Sequence, residues 1–372
     1  MLLDDLDTPA LLLDAEKLER NCRRMRERVH SQGVVLRPHV KTAKSVEVAQ
    51  LALDAPTGAI TVSTLREAEY FFDYGFRDIL YAVGMVPHKV ARVADLTRRG
   101  ARVSAIVDSV DAAQALVKAA EKESVHIPTL VEIDSDGHRA GIKPGDRRLL
   151  DVGEALGDSL LGVMTHAGDS YNCSGPDEIR GVAARERQAV VDSAEALRER
   201  GHPCPVVSVG STPTATFAES FAGVTEVRIG VYVFHDLVMA GLGVCALDDI
   251  ALSVLGSVIG HQRDKNWLLT DAGWMALSRD RGTARQKVDQ GYGVVCDAAG
   301  RPIDDLIVAD ANQEHGIIAR RGGGAIDFTR YPIGSRVRIL PNHACATAAQ
   351  HGEYHVLRGG IPAETWERFG GW

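Results

Sequence analysis

A chain of 372 residues exceeds one typical small domain and fits a barrel plus a second module. Its 45% hydrophobic and 25% charged residues are those of an ordinary soluble globular protein, and no apolar run reaches the length of a membrane span. The net charge of −8 argues against general nucleic-acid binding, the acidic start Met1–Asp7 lacks the basic region of a secretory signal, and six scattered cysteines without a CxxC pair predict reduced thiols in the cytoplasm.

In chain order, short apolar β-branched runs alternate with charged helical stretches. Ala10–Asp14 precedes a helical pattern over Ala15–His30, Val34–Val40 precedes Ser45–Leu53, and Ala59–Ser63 precedes Thr64–Tyr74. Asp78–Val83 precedes Lys89–Arg99, and Arg102–Asp108 precedes Val110–Glu123. Pro128–Asp134, Leu160–Gly168, Pro205–Gly210 and Val224–Phe234 continue the series, with helical patterns over Arg148–Leu156 and Glu178–Arg200. Such alternation predicts a parallel sheet, and about eight units predict closure into a (β/α)8 TIM-type barrel. An open doubly wound sheet is the weaker reading, because no Gly-x-Gly-x-x-Gly turn follows the first strand. After Leu247 the texture changes to strand-like runs and Gly-rich turns with few helical patterns. The expected division is a barrel over 10–245 and a C-terminal mainly β domain over 246–372, joined by 1–9.

Several segments carry candidate chemistry. In Arg37-Pro38-His39-Val40-Lys41-Thr42, Lys41 follows an apolar strand. A partly buried lysine at such a strand end is an amine able to form an imine; Lys44, placed in the following turn, is the rival and is expected nearer solvent. Ser208–Thr214 follows an apolar strand and opens a helix, so Ser211 and Thr212 read either as an anion site or as plain N-caps; Gly230 offers a close backbone approach to the same anion. Arg139 reads as a partner of a cofactor oxygen or of Asp134 or Asp136. His166, in Thr165–Tyr171, reads as a group facing a cofactor ring or as a structural histidine. His343-Ala344-Cys345 places an imidazole and a thiol on one face of an extended segment, which suits zinc, with Asn342 orienting the pair.

At Arg37–Thr42, His166-Ala167-Gly168, Gly210-Ser211-Thr212, Asp271-Ala272-Gly273, Gln313–Gly316 and Pro341–Cys345 the chain resembles the D-serine dehydratase and D-threonine aldolase family. This family belongs to the alanine-racemase-like, fold-type III pyridoxal phosphate enzymes. The motifs span nearly the whole chain in order. The resemblance implies a barrel plus β domain, usually a homodimer with the site near the interface. It also implies that Lys41 bonds the cofactor's aldehyde, and that Ser211, Thr212, Gly230 and Val231 hold the phosphate. His39, Arg139, His166 and Tyr171 complete the cofactor residues. His343 and Cys345 would bind Zn2+, or Mn2+ or another divalent ion in its place. His-x-Cys, where the aldolase branch carries His-x-Asp, favours the dehydratase branch.

The expected reaction is β-elimination of water and then ammonia from a 3-hydroxy D-amino acid, giving a 2-oxo acid. D-threo-3-Hydroxyaspartate and D-serine are the candidate substrates. Lys41 removes the Cα proton, and the metal eases departure of the β-hydroxyl. The cationic loop Arg279–Arg285 reads as a receiver of a second carboxylate or as a solvated surface loop, and Arg285 and Gln313 are the substrate candidates. A retro-aldol enzyme would release amine and aldehyde instead. A racemase would need a second base and no metal. A non-enzymatic pyridoxal phosphate carrier would be a single barrel, against which the second domain counts.

Overall fold

The structure, a computed structural model, describes residues 2–372. Contacts divide it into two compact units, one of Arg23–Gly230 with Gly371–Trp372, the other of the residues up to Cys22 with Val231–Gly370.

The strands in chain order are β1 (Ala10–Asp14), β2 (Val35–Pro38), β3 (Ala59–Val62), β4 (Asp78–Gly84), β5 (Arg102–Val107), β6 (Thr129–Ile133), β7 (Leu160–Thr165), β8 (Val206–Val209) and β9 (Glu226–Ile229). Those that follow are β10 (Leu252–Gln262), β11 (Trp267–Thr270), β12 (Gly293–Cys296), β13 (Pro302–Ala311), β14 (Gly316–Arg320), β15 (Arg336–Pro341), β16 (Glu353–Arg358) and β17 (Ile361–Glu367).

Strands β2 to β9 form the expected parallel barrel, in the order β2-β9-β8-β7-β6-β5-β4-β3. A bridge between His39 and Thr61, with Val40 N donating to Thr61 O at 2.9 Å, joins the ends of the series and nearly closes the ring. The helices start where short hydroxyl side chains cap them. Thr64 accepts from Glu67 N at 3.0 Å and Ser109 from Ala112 N at 3.3 Å, replacing bonds that a helix start lacks. The long helix Pro176–Glu199 turns Ile179, Val182, Val190 and Leu197 inward, the apolar stripe that its spacing predicts. The barrel also carries buried charge: Arg37 bonds Glu226 at 2.7 Å and Asp78 at 2.9 Å.

The other unit is a nine-stranded sheet in the order β11-β14-β13-β12-β15-β10-β1-β16-β17, antiparallel throughout except where β1 meets β16. Leu6, Ala10, Leu12, Leu255 and Leu357 form one of its apolar clusters, and Leu237, Ile250, Val294, Cys296, Ile307 and Leu340 another.

The expected division at 10 and 245 differs from this arrangement. Ala10–Asp14 lies in the interior of the second sheet, with Ala10 opposite Leu255 and Leu13 opposite Leu252, and the chain leaves the barrel unit at Gly230. A strand covered on both faces reads as a continuous apolar run whichever sheet receives it. Among the described residues no helix is long and apolar enough to cross a membrane.

Candidate active site and metal-ligand pair

Barrel enzymes react at the C-terminal ends of their strands, and the expected cofactor residues gather there. Just past β2, His39 N donates to Ile229 O at 2.7 Å. The chain then turns tightly, with Lys44 N bonding Val40 O at 2.7 Å and Lys44 itself in the left-handed region at φ 47°. This turn reverses the expectation for the two lysines. Lys44 swings inward to Glu67 Oε1 at 3.1 Å, a carboxylate only 1% exposed, while Lys41 is exposed at the barrel mouth and not partly buried.

Two imidazoles accompany it. His39 is buried, and burial first, then the Lys41, Arg228 and His166 charges, push its pKa far below the ordinary histidine value. Its Nδ1 has no hydrogen-bond partner. His166, one residue past β7, is lowered to about 3 by burial and by Lys41. Its Nδ1 lies 2.6 Å from Gly210 O. A carbonyl only accepts, so Nδ1 carries the proton and Nε2 the lone pair. Tyr171 stands beside it, ring centroids 6.3 Å apart.

Past β8, Ser211 caps the short helix Thr212–Phe217, accepting from Thr214 N at 3.2 Å and meeting the Ser170 hydroxyl at 2.9 Å. Its hydroxyl thus serves the local fold, as the plain N-cap reading had it. Thr212 differs: its hydroxyl is buried and has no partner. Past β9, a Cβ on Gly230 would come within 2.7 Å of His39 O and Thr42 Oγ1. Glycine is needed for that approach. Val231 follows, buried, where the chain passes into the other unit. An unsatisfied buried hydroxyl suits a phosphate oxygen, so the Thr212 turn fits pyridoxal phosphate. Arg139 pairs with neither Asp134 nor Asp136. Its Nη2 lies 3.4 Å from Glu132 Oε1, because Asp134 and Asp136 bond the backbone N–H groups of Gly137, His138 and Asp169.

In the other unit, β15 ends at Pro341 and His343 caps the helix Ala344–Ala348. The His343–Cys345 segment is therefore a strand-to-helix turn, not the extended run expected. The turn still brings them together, with the Cys345 sulfur bonded to His343. His343 Nδ1 lies 2.6 Å from Asp280 Oδ2. Despite burial, Cys345, Asp280 and Asp236 raise the His343 pKa to about 11, so without a metal the ring holds both protons. A cation at Nε2 would replace one of them, with Asp280 retaining the Nδ1 proton. One imidazole, one thiol and a carboxylate behind the imidazole make a donor set that fits zinc. Among the described residues, no cluster of three or more His, Cys, Asp or Glu side chains is placed to hold an ion, so the protein side is open.

The Asn342 side chain is engaged by the neighbouring loop. Its amide accepts from Thr283 N at 2.8 Å and donates to Gly291 O at 2.7 Å, anchoring the loop that carries Asp280. Asp280 was missed because it sits in a charged run, Ser278–Gln286, where nothing in the spacing marks it. In that loop Arg281 is paired with Asp289 at 2.6 Å and the Arg279 guanidinium lies over Trp274, while Arg285 is exposed. Gln313 is exposed, and its carbonyl accepts from Met275 N at 3.1 Å.

Comparison with known proteins agrees with this geometry. Residues 13–237 match the family model described as alanine racemase, N-terminal domain, and residues 251–357 match that of a serine dehydratase domain. The D-threo-3-hydroxyaspartate dehydratase of Delftia sp. (strain HT23) is 55% identical, covering 99% of this chain and 98% of its own. The D-serine dehydratase of Dictyostelium discoideum is 33% identical over 95% and 94%. A solved cysteine-to-alanine variant of D-threo-3-hydroxyaspartate dehydratase, described as metal-free, superposes with TM-score 0.98 at 54% identity and covers 100% of both chains. With its barrel, its β domain and both family matches in register, the chain belongs to the alanine-racemase-like family of D-serine dehydratases.

Proposed function

We propose that the protein is a pyridoxal phosphate- and divalent-metal-dependent lyase that dehydrates and deaminates a 3-hydroxy D-amino acid, D-threo-3-hydroxyaspartate or D-serine, to a 2-oxo acid and ammonia. The observation that carries this is a single chain holding Lys41 beside two neutral imidazoles and, in its other unit, the His343–Cys345 pair braced by Asp280.

When bound, pyridoxal phosphate supplies an electron sink at Cα and the divalent ion supplies a Lewis acid for the β-oxygen. Thr212 through its hydroxyl, and Ser211, Gly230 and Val231 through their backbone, would hold the phosphate. His166, neutral and fixed by Gly210 O, faces the ring without adding charge, and Tyr171 flanks it. Lys41 Nζ would bond the cofactor's aldehyde and, as a free amine, would accept the Cα proton. His343 Nε2 and the Cys345 thiolate hold the ion, and Asp280 holds the proton on Nδ1. The enamine released then hydrolyses to 2-oxo acid and ammonia.

We also infer a homodimer in the cytoplasm. None of the six cysteines is in a disulfide, as a reducing compartment favours. The retro-aldol reading keeps less support: both relatives described above are dehydratases, and the second ligand here is a cysteine. Incubation with D-serine and both 3-hydroxyaspartate diastereomers tests the reading. Ammonia and 2-oxo acid are expected; glycine and an aldehyde would convert the assignment to an aldolase, and no turnover of any of them would end it.

A further inference from the structure

Glu186 sits within the long helix Pro176–Glu199, far along the chain from every residue given a role above. It is 3% exposed. A buried carboxylate needs several donors, and three converge on this one. Gly210 N donates to Glu186 Oε1 at 2.9 Å, and the Ala167 N–H and the Thr214 hydroxyl face the same carboxylate and favour its charged form against the burial that raises its pKa. Ala167 directly follows His166, and Gly210 directly precedes Ser211. Both backbone groups of Gly210 are engaged: its N–H points to Glu186, and its carbonyl receives the His166 Nδ1 proton at 2.6 Å. Thr214 in turn meets the Ser211 hydroxyl at 2.9 Å. One carboxylate therefore ties the turn after β7 to the turn after β8.

We propose that Glu186 is a positioning residue that locks these two turns together, and so holds the His166 imidazole and the Ser211–Thr212 phosphate turn in one arrangement. The proposal rests on reading the barrel mouth as the cofactor site. A carboxylate accepts from three donors with two oxygens, whereas an amide offers one oxygen and sets an NH2 group against a remaining donor. Glu186→Gln is thus nearly isosteric and breaks the tie. Glu186→Asp keeps the charge, draws it back by one methylene, and serves if the amide variant does not fold.

The test has two readouts. In cofactor-free protein, 15N NMR of His166 reports its tautomer: Nδ1–H is expected in the parent and a mixture of tautomers in the variant. Titration with pyridoxal phosphate and with unphosphorylated pyridoxal, followed by imine absorbance, reports the phosphate turn. The variant is expected to lose about tenfold of the preference for the phosphorylated form, the scale of a charge-assisted hydrogen bond. A merely structural role would weaken both ligands alike. An unchanged preference together with an unchanged His166 tautomer overturns the proposal. Absence of any imine in the parent protein would instead sink the cofactor reading, and the His166 signal would still decide the role of Glu186.

Discussion

His343 Nδ1 and Asp280 Oδ2 lie 2.6 Å apart, although 63 positions separate the two residues in the chain. The carboxylate leaves Nε2 as the nitrogen for a cation and raises the basicity of the ring. Asp280→Ala is expected to weaken zinc about 10- to 100-fold, as loss of such an outer partner does. Competition against a chromogenic chelator measures it. Lys41 imine absorbance should survive the substitution, and its loss would show that Asp280 acts on the barrel instead.

The two lysines of the turn after β2 separate cleanly. Lys41→Ala should abolish imine absorbance and turnover. Lys44→Met should retain the imine but strand the buried Glu67 carboxylate, costing about 2–3 kcal/mol in denaturant unfolding. An imine that vanished with Lys44 and persisted without Lys41 would exchange their roles.

Thr212→Val replaces an unsatisfied buried hydroxyl by a methyl of the same shape. The cofactor-free protein should gain about 1 kcal/mol in stability, because the hydroxyl is unpaired there. Pyridoxal phosphate should bind about tenfold more weakly, because the same hydroxyl is its partner. Opposite signs in the two measurements are the signature. A variant that loses stability and keeps its affinity would remove Thr212 from the phosphate site.

Acid should destabilise the cofactor-free barrel early. His166 has a folded pKa of about 3 against an ordinary value of 6.5, and His39 is lowered as well. Between those values the unfolded chain binds a proton that the folded chain refuses, so stability is full above pH 6.5 and falls as pH drops toward 3. His166 alone should cost about 2 kcal/mol at pH 5. Urea midpoints at pH 7 and pH 5 check this, and His166→Gln should flatten the difference.

Much of this was legible before any coordinates. The barrel strands and the helices at Ala15–His30, Val110–Lys122 and Arg148–Leu156 follow from periodicity, which burial imposes directly. Strands β16 and β17 are not marked, because charged and apolar residues mix along them, and β14 is only Gly316–Arg320, too short to stand out. Side-chain direction was the least legible. The left-handed backbone at Lys44 turned the wrong lysine inward, and a fold-level contact, not spacing, brought Asp280 to His343. Glu186 was hidden for the same reason: in a helix rich in charged residues, nothing local distinguishes the one carboxylate that faces the barrel.

Strand β1 lies between β10 and β16, yet it is synthesised long before either. Leu255, the partner of Ala10, emerges only after the entire barrel has been made. At about 5–20 residues per second, that interval is roughly ten seconds to a minute. During it an apolar Ala-Leu-Leu-Leu segment has no sheet to join. Newly made protein should therefore lean on a nascent-chain holdase at this stage, and deletion of residues 1–14 should leave the barrel folding while β16 and β17 are parted from the other six strands of the second sheet.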